Sequence, residues 1–318
     1  MRWLSAIAVS SLALFVAPLA HAQSLKVAVS QRGFWDSSFV EFAQREGFFK
    51  DEKLDVEFFY TDGGAATLAA VMSGSVDVGM SNGLLGVIGR YSKGAPLRVI
   101  SAEMTGATDA FWYARTDSGI KSLKDADGKS IAFSSPGSST NLMLLALLKR
   151  AGVNGKPVAT GGTPATFTQV MTKQIDIGWS VPPFGLREIA EGKIAIVARG
   201  SDLPEFTNQT IRVNLATAET VAAKRDALTR YMKAYARAID WAYQNPKALE
   251  HYAEIAKVSV DTARHVRDEF YPKATMQVGE IKGLDLALKD AVTYRYIAQP
   301  MTPKDVEGLF DILYKPAK

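Results

Sequence analysis

No cysteine occurs anywhere in the 318 residues, and only three histidines do. The first absence excludes disulfides, thiolate catalysis, cysteine-ligated metals and a lipidated N-terminal cysteine. The second leaves little material for imidazole chemistry. Beyond residue 22 only His251 and His265 remain, on separate predicted helices, where surface or packed positions account for them. There is no H-E-x-x-H, no P-loop and no G-x-G-x-x-G pattern. The residues therefore predict no enzyme, no cofactor and no metal. An excess of one charge is missing too: Lys and Arg number 37 against 33 Asp and Glu, for a formal net charge of +4. The basic residues are scattered, so a nucleic-acid partner lacks its electrostatic footprint. Weak attraction of anions is all that such a balance suggests.

Long hydrophobic runs are confined to the N-terminus. Arg2 is followed by an apolar stretch from Leu4 to Leu19, then by Ala20-His21-Ala22 before Gln23. That order predicts a cleaved secretory signal peptide over residues 1–22. The stretch is shorter than the roughly 20 apolar residues a membrane-spanning helix needs. The mature chain, about 296 residues (318 minus 22), is expected in the periplasm and is long enough for two domains.

What is present is a unit used twice. From Gly63 the chain reads GGAATLAAVMSGSVDVGMSNG, and from Gly161 it reads GGTPATFTQVMTKQIDIGWSVPP. Each copy gives a Gly-Gly turn, a short helix, a polar turn, a buried strand and a loop. The spacing exceeds the roughly 20–50 residues of solenoid repeats, so two α/β lobes on one plan are expected, with a cleft between them. Asp77 and Asp176 hold equivalent places in the two copies and are read as fixing their own turns. Strands are predicted over 25–30, 55–60, 76–80, 97–102, 109–115, 129–133 and 194–198, with Gln209 to Ala216 as a return crossing. The alternation of strand and helix argues for mostly parallel sheets flanked by helices. The first passage between lobes is placed near Arg115, giving lobe 1 as residues 23–114 and 208–318 and lobe 2 as 115–207. The last third is predicted helical: Ala227 to Gln244, Pro246 to Lys257, Val260 to Tyr271, Glu280 to Ala298 and Pro303 to Leu313.

Two constellations are candidates for ligand contact. In Ser134-Ser135-Pro136-Gly137-Ser138-Ser139-Thr140, five of seven residues carry hydroxyls, between a strand and a helix start. A helix N-terminus offers free N–H groups and partial positive charge, so it suits an anion. Capping alone needs one or two hydroxyls. Gly137, Ser138, Ser139 and Thr140 are thus candidate ligand residues, with Gly63 and Gly64 a weaker version of the same device. The second constellation is aromatic: Phe34, Trp35, Trp179 and Phe184 follow strands, at the ends where open α/β sheets bind ligands. Trp35 and Trp179 are expected to sandwich the ligand body, and Ser81 and Asn82 to bond its polar end.

These segments resemble a known group. GSVDVG with the following SNG, SSPGSSTNLMLLALLKRAGV, KQIDIGWSVPPF and ARTDSGIKSLKDADGKSIAF, in this order, are similar to motifs of the nitrate, sulfonate and taurine type of periplasmic substrate-binding protein, a component of ABC importers. The resemblance covers nearly the whole mature chain. It implies an α/β, two-lobed, type II periplasmic-binding-protein fold, each lobe a mixed, mostly parallel sheet flanked by helices, with the ligand cleft between. It also implies an ABC permease in the inner membrane as partner. The expected ligand is a small organic anion: an alkyl or aryl sulfonate, a taurine-like molecule or an aromatic carboxylate. The expected state is a monomer. A thiamine-precursor pyrimidine or other flat heterocycle is the alternative, and a secreted enzyme on the same scaffold a further one. An enzymatic branch with this fold depends on a cysteine-rich motif that this chain lacks.

Overall fold

The computed structural model describes residues 22–316; the predicted signal peptide lies outside them apart from Ala22. Strands β1 (Gln23–Ser30), β2 (Leu54–Thr61), β3 (Val78–Gly83) and β4 (Leu97–Thr105) come first. Then follow β5 (Phe111–Arg115), β6 (Ser130–Phe133), β7 (Lys156–Ala159), β8 (Ile177–Ser180) and β9 (Ile194–Arg199), and last β10 (Thr210–Thr217). They form two five-stranded sheets, ordered β2-β1-β3-β10-β4 and β7-β6-β8-β5-β9. In each, four strands share one direction and one interior strand opposes them: β10 is antiparallel to β3 and β4, and β5 to β8 and β9.

Helices α1 (Phe39–Arg45), α2 (Phe48–Asp51), α3 (Gly64–Met72) and α4 (Leu84–Tyr91) belong to the first sheet's connections. Helices α5 (Ser139–Ala151), α6 (Thr163–Met171) and α7 (Leu186–Ala190) belong to the second's. Helices α8 (Ala218–Gln244), α9 (Lys247–Ala256), α10 (Val260–His265) and α11 (Leu284–Thr293) make up the rest. Helix α5 starts where Ser138 accepts the Asn141 N–H and stops at Gly152, whose φ of 67° is the left-handed cap that glycine adopts without a Cβ penalty. Helix α8 contains a kink at Lys224, so the amphipathic stretch predicted from Ala227 is its second part.

The repeat is physical as well as textual. Thr61 and Thr67 share a hydroxyl–hydroxyl bond of 2.8 Å, and Thr160 and Thr166 share one of 2.6 Å. Thr67 and Thr166 also donate to the carbonyls of Gly63 and Gly162. Asp77 accepts the Lys26 N–H at 2.9 Å, and Asp176 accepts the Ser130 N–H at 2.9 Å. The repeat aspartates thus clamp the start of the neighbouring parallel strand, not their own turns.

Two expectations are corrected, and one strand was not foreseen. Strand β5 pairs with β8 and β9, so the chain changes sheets between Thr105 and Phe111, before Arg115. Strand β7, at the second sheet's edge, had no apolar alternation to reveal it; its residues are mostly exposed. Residues 303–313 form only a short turn at Glu307–Leu309. The following segment lies along β4, with Asp311 and Leu313 donating to the carbonyls of Val99 and Ile100. That free sheet edge supplies acceptors that outcompete a helix signalled only by Thr302-Pro303.

Candidate functional site

The loops that leave β1, β3, β6 and β8 converge between the two sheets around a cavity of about 30 Å³. Its wall includes Phe34, Gly63, Gly64 and Ser81 from the first sheet's side, and Ser138, Ser139, Thr140 and Trp179 from the second's. Gly64, Gly83 and Asn82 continue outward into a larger groove of about 430 Å³ between α3 and α4, which Gly137 also lines.

Bare backbone lets the two sides touch. A Cβ built on Gly83 would lie 2.5 Å from the Gly137 carbonyl oxygen, and one on Gly86 2.3 Å from it. On the other flank Phe184 meets Phe34 edge-on, ring centroids 5.8 Å apart, and presses on Gly33. Trp35 is not at the cavity. Its indole donates to the Tyr243 hydroxyl at 3.0 Å, and its ring packs among Phe39, Phe42 and Tyr252. The Trp35–Trp179 sandwich is therefore replaced by a core role for Trp35, because the turn at Asp36–Ser38 directs residue 35 inward and residue 36 to the cleft.

The hydroxyl loop is mostly engaged with itself. Thr140 Oγ1 accepts the Ser134 N–H and meets the hydroxyls of Ser134 and Ser138. Ser138 caps Asn141. The first-turn N–H groups of Ser139 and Thr140 precede any intrahelical acceptor, and Ser139 Oγ is turned to the other lobe.

Sequence reasoning missed the charges at the centre. Arg212, on β10, is 6 % exposed and reaches four partners. Its Nε donates to Ser139 Oγ at 3.0 Å, joining the two sheets' elements. Its terminal nitrogens meet Asp36 at 3.2 Å and Asp109 at 2.7 Å, and one also contacts Met104 Sδ at 3.1 Å. Burial acts against that charge, but the two carboxylates raise the guanidinium well above the usual arginine range. Burial raises Asp36 above the ordinary carboxylate value; Arg212 opposes the rise and Asp109 adds to it. Behind them Glu103, on β4, takes the Ser81 hydroxyl at 2.5 Å and the Tyr235 hydroxyl at 3.4 Å. Burial pushes the Glu103 carboxyl up to about 8, with Asp36 adding to the shift and Ser81 opposing it. The available signal was Arg212 itself, a charge inside the otherwise uncharged strand QTIRVNLA.

Gly79-Met80-Ser81-Asn82-Gly83 spells G-x-S-x-G on a strand-to-helix turn, with Ser81 at φ 60°. Nucleophile elbows share that spelling and placement, but there a base removes the serine proton. Here the Ser81 hydroxyl donates to Glu103, a carboxyl that burial pushes up to about 8, and not to a histidine. Both described histidines lie elsewhere, His251 against Glu46 and His265 against Glu269. Among the described residues no group of His, Cys, Asp and Glu is arranged to hold a metal ion, and no helix is long and apolar enough to cross a membrane.

Two mixed five-stranded sheets, joined by two crossings and closed over a small polar cavity, define the two-lobed class of periplasmic binding proteins. Within it the chain belongs to the family described as NMT1/THI5 like, whose model matches residues 36–249. A relative from Brucella abortus, named only as a candidate binding protein, is 25% identical over 93% of this chain and 94% of its own. Among solved structures, the periplasmic aliphatic sulphonate binding protein SsuA from Escherichia coli superposes with a TM-score of 0.70 at 18% identity. That match covers 90% of this chain and 97% of that one. The alkanesulfonate-binding protein SsuA from Xanthomonas axonopodis pv. citri, bound to MOPS, gives 0.72 at 17% identity, covering 86% and 91%.

Proposed function

We propose that this chain is the solute-capturing component of an ABC importer. It is exported, loses residues 1–22, binds a small organic acid between two closing lobes and presents the closed form to an inner-membrane permease, acting as a monomer. Lobe 1 comprises β1 to β4 and β10 with the C-terminal helices; lobe 2 comprises β5 to β9. The observation that carries this reading is the cavity between the sheets, walled by strand-end loops from both and sealed by backbone contact at Gly137. Two crossings leave a hinge as the permitted relative motion. Closure excludes water, which strengthens every polar contact inside. The acidic group is assigned to the free N–H groups of Ser139 and Thr140 and to the Trp179 indole. Trp179 lines the cavity, and its buried Nε1 has no acceptor. The names of the Escherichia coli and Xanthomonas neighbours favour a sulfonate or similar acid. With Trp35 in the core, the flat-heterocycle alternative loses its second aromatic wall.

The test is a thermal-shift screen of the mature protein against alkyl sulfonates, nitrate, short carboxylates and amino acids. A bound member at a hundred times its Kd stabilises the fold by about 2.7 kcal/mol. Turnover of a bound member, or an unchanged melting temperature with every member, would count against solute capture.

A further inference from the structure

Helix α5 is touched from the first lobe at a second place, away from Arg212, by the chain that follows α11. Where α11 ends, the Tyr296 N–H reaches back to the Ala291 carbonyl at 2.7 Å and the Arg295 N–H to the Val292 carbonyl at 3.0 Å. This cap needs a left-handed residue, and Arg295 fills the place at φ 62° where glycine is usual. On either side of the reversal stand two tyrosines that both meet α5. Tyr296 donates its hydroxyl to Asn141 Oδ1 at 2.9 Å, and Lys149 Nζ lies 5.7 Å from the centre of the Tyr294 ring. Asn141, Leu145 and Lys149 recur every fourth residue, on one face of α5. The segment is seated on the first lobe: a Cβ on Gly89 of α4 would lie 2.8 Å from the Tyr296 carbonyl oxygen. Asn141 passes the grip on. Its Oδ1 also accepts the Gly137 N–H at 3.4 Å, and Gly137 is the backbone that seals the cleft against Gly83 and Gly86. Neither Tyr296 nor Asn141 lines the cavity between the sheets, so their bond asks nothing of a solute. The contact is also light. Beside it Leu145, Lys149, Thr293, Tyr294 and Arg295 surround a cavity of about 440 Å³ in place of a packed seam. Lobes are fixed to each other by large apolar interfaces, whereas one polar contact next to a void can break and re-form.

We infer that the segment Tyr294–Tyr296 is a latch between the lobes: Tyr296 grips Asn141, and through it the Gly137 loop, and favours the closed form with or without solute. Tyr296 is thus a positioning residue, acting on the cleft through Asn141 and not by touching what enters it. The latch rests on the two-lobed solute-capture reading and adds to it a control of how often the cleft opens.

The experiment measures the separation of the lobes by pulsed electron paramagnetic resonance, on mature protein dialysed free of small molecules. Met72→Cys and Met171→Cys carry the spin labels. Both positions are exposed, at equivalent ends of α3 and α6, and the chain has no other cysteine to react. The shorter separation should predominate in the otherwise unaltered chain. Tyr296→Phe, which removes only the hydroxyl, should lower the ratio of short to long separations about fivefold, the size of one lost hydrogen bond. Asn141→Ala should shift the ratio in the same direction, and the two changes together should do little more than either alone. A role confined to stability would instead move the melting temperature and leave the ratio unchanged. An unaltered ratio in both variants overturns the latch, as does a long separation that predominates before any substitution. Either result leaves solute capture standing, because that reading is tested by melting shifts with solutes and the latch with none.

Discussion

Arg212 is a single side chain on which two sheets and two acids converge. Replacing it with Met would leave Asp36 and Asp109 buried without their cation. Breaking such a pair by removing one member costs about 3–5 kcal/mol. Urea denaturation of Arg212→Met should show a loss of that order, and adding Asp109→Asn should restore part of it. Glu103 makes a separate prediction. Its folded value of about 8 lies above its ordinary 4.5. The proton is therefore held more tightly in the folded state. The stability this contributes is complete below pH 4.5 and is lost as pH rises through about 8. Melting temperature should fall between pH 5 and 9, and Glu103→Gln should flatten that fall. Asp36, raised in the same sense, accounts for part of any slope that remains at the acidic end. At this scale the sequence was only partly legible. Trp179 could be picked out because it follows a strand inside a repeat. Trp35 follows a strand equally well, yet packs inward, and Asp36 beside it lines the cleft instead. Which of two adjacent residues faces a cavity depends on one turn's dihedral angles, and composition does not encode those.

Among the elements, the start of α4 and the loop before α5 meet without side chains. Gly83 and Gly86 sit on one face, three residues apart, and both oppose Gly137, whose φ is 88°. Gly86→Ala would place a methyl group against a backbone carbonyl that has no rotamer to escape into. It should weaken ligand binding by about tenfold or more, since closure supplies the second wall, while leaving the melting temperature of the ligand-free protein within a few degrees. A larger radius of gyration by X-ray scattering in the variant's ligand-bound form would be the matching signature. Most elements could be read in advance, because buried parallel strands appear as short apolar runs and helices as periodic ones. The two failures share a cause. Strand β7 and the segment after Leu309 exist because a sheet edge is available to pair with, and that edge is made by residues far away in sequence.

In the whole molecule, the duplicated unit is what made two lobes legible. The hydroxyl pairs at Thr61–Thr67 and Thr160–Thr166 now give that duplication a structural reason. Each fixes the turn that precedes the helix of its repeat, α3 in one lobe and α6 in the other. Strand β10 was legible as the return crossing, but that β5 already belongs to the second sheet was not, since a crossing strand is as apolar as its parallel neighbours.

The inward burial of Trp35 and Trp112 has an optical consequence. The sequence holds five tryptophans, and among those described only Trp179 lines the cavity. Trp35 and Trp112 each donate their indole N–H to a fixed protein acceptor, at 3.0 and 2.9 Å. Trp241 sits on α8, against Phe42 and Phe48. Their emission should stay constant as solute binds, and Trp179 alone should respond when its indole gains an acceptor. The protein thus carries its own single-residue fluorescent reporter of occupancy, with the other tryptophans as an internal standard.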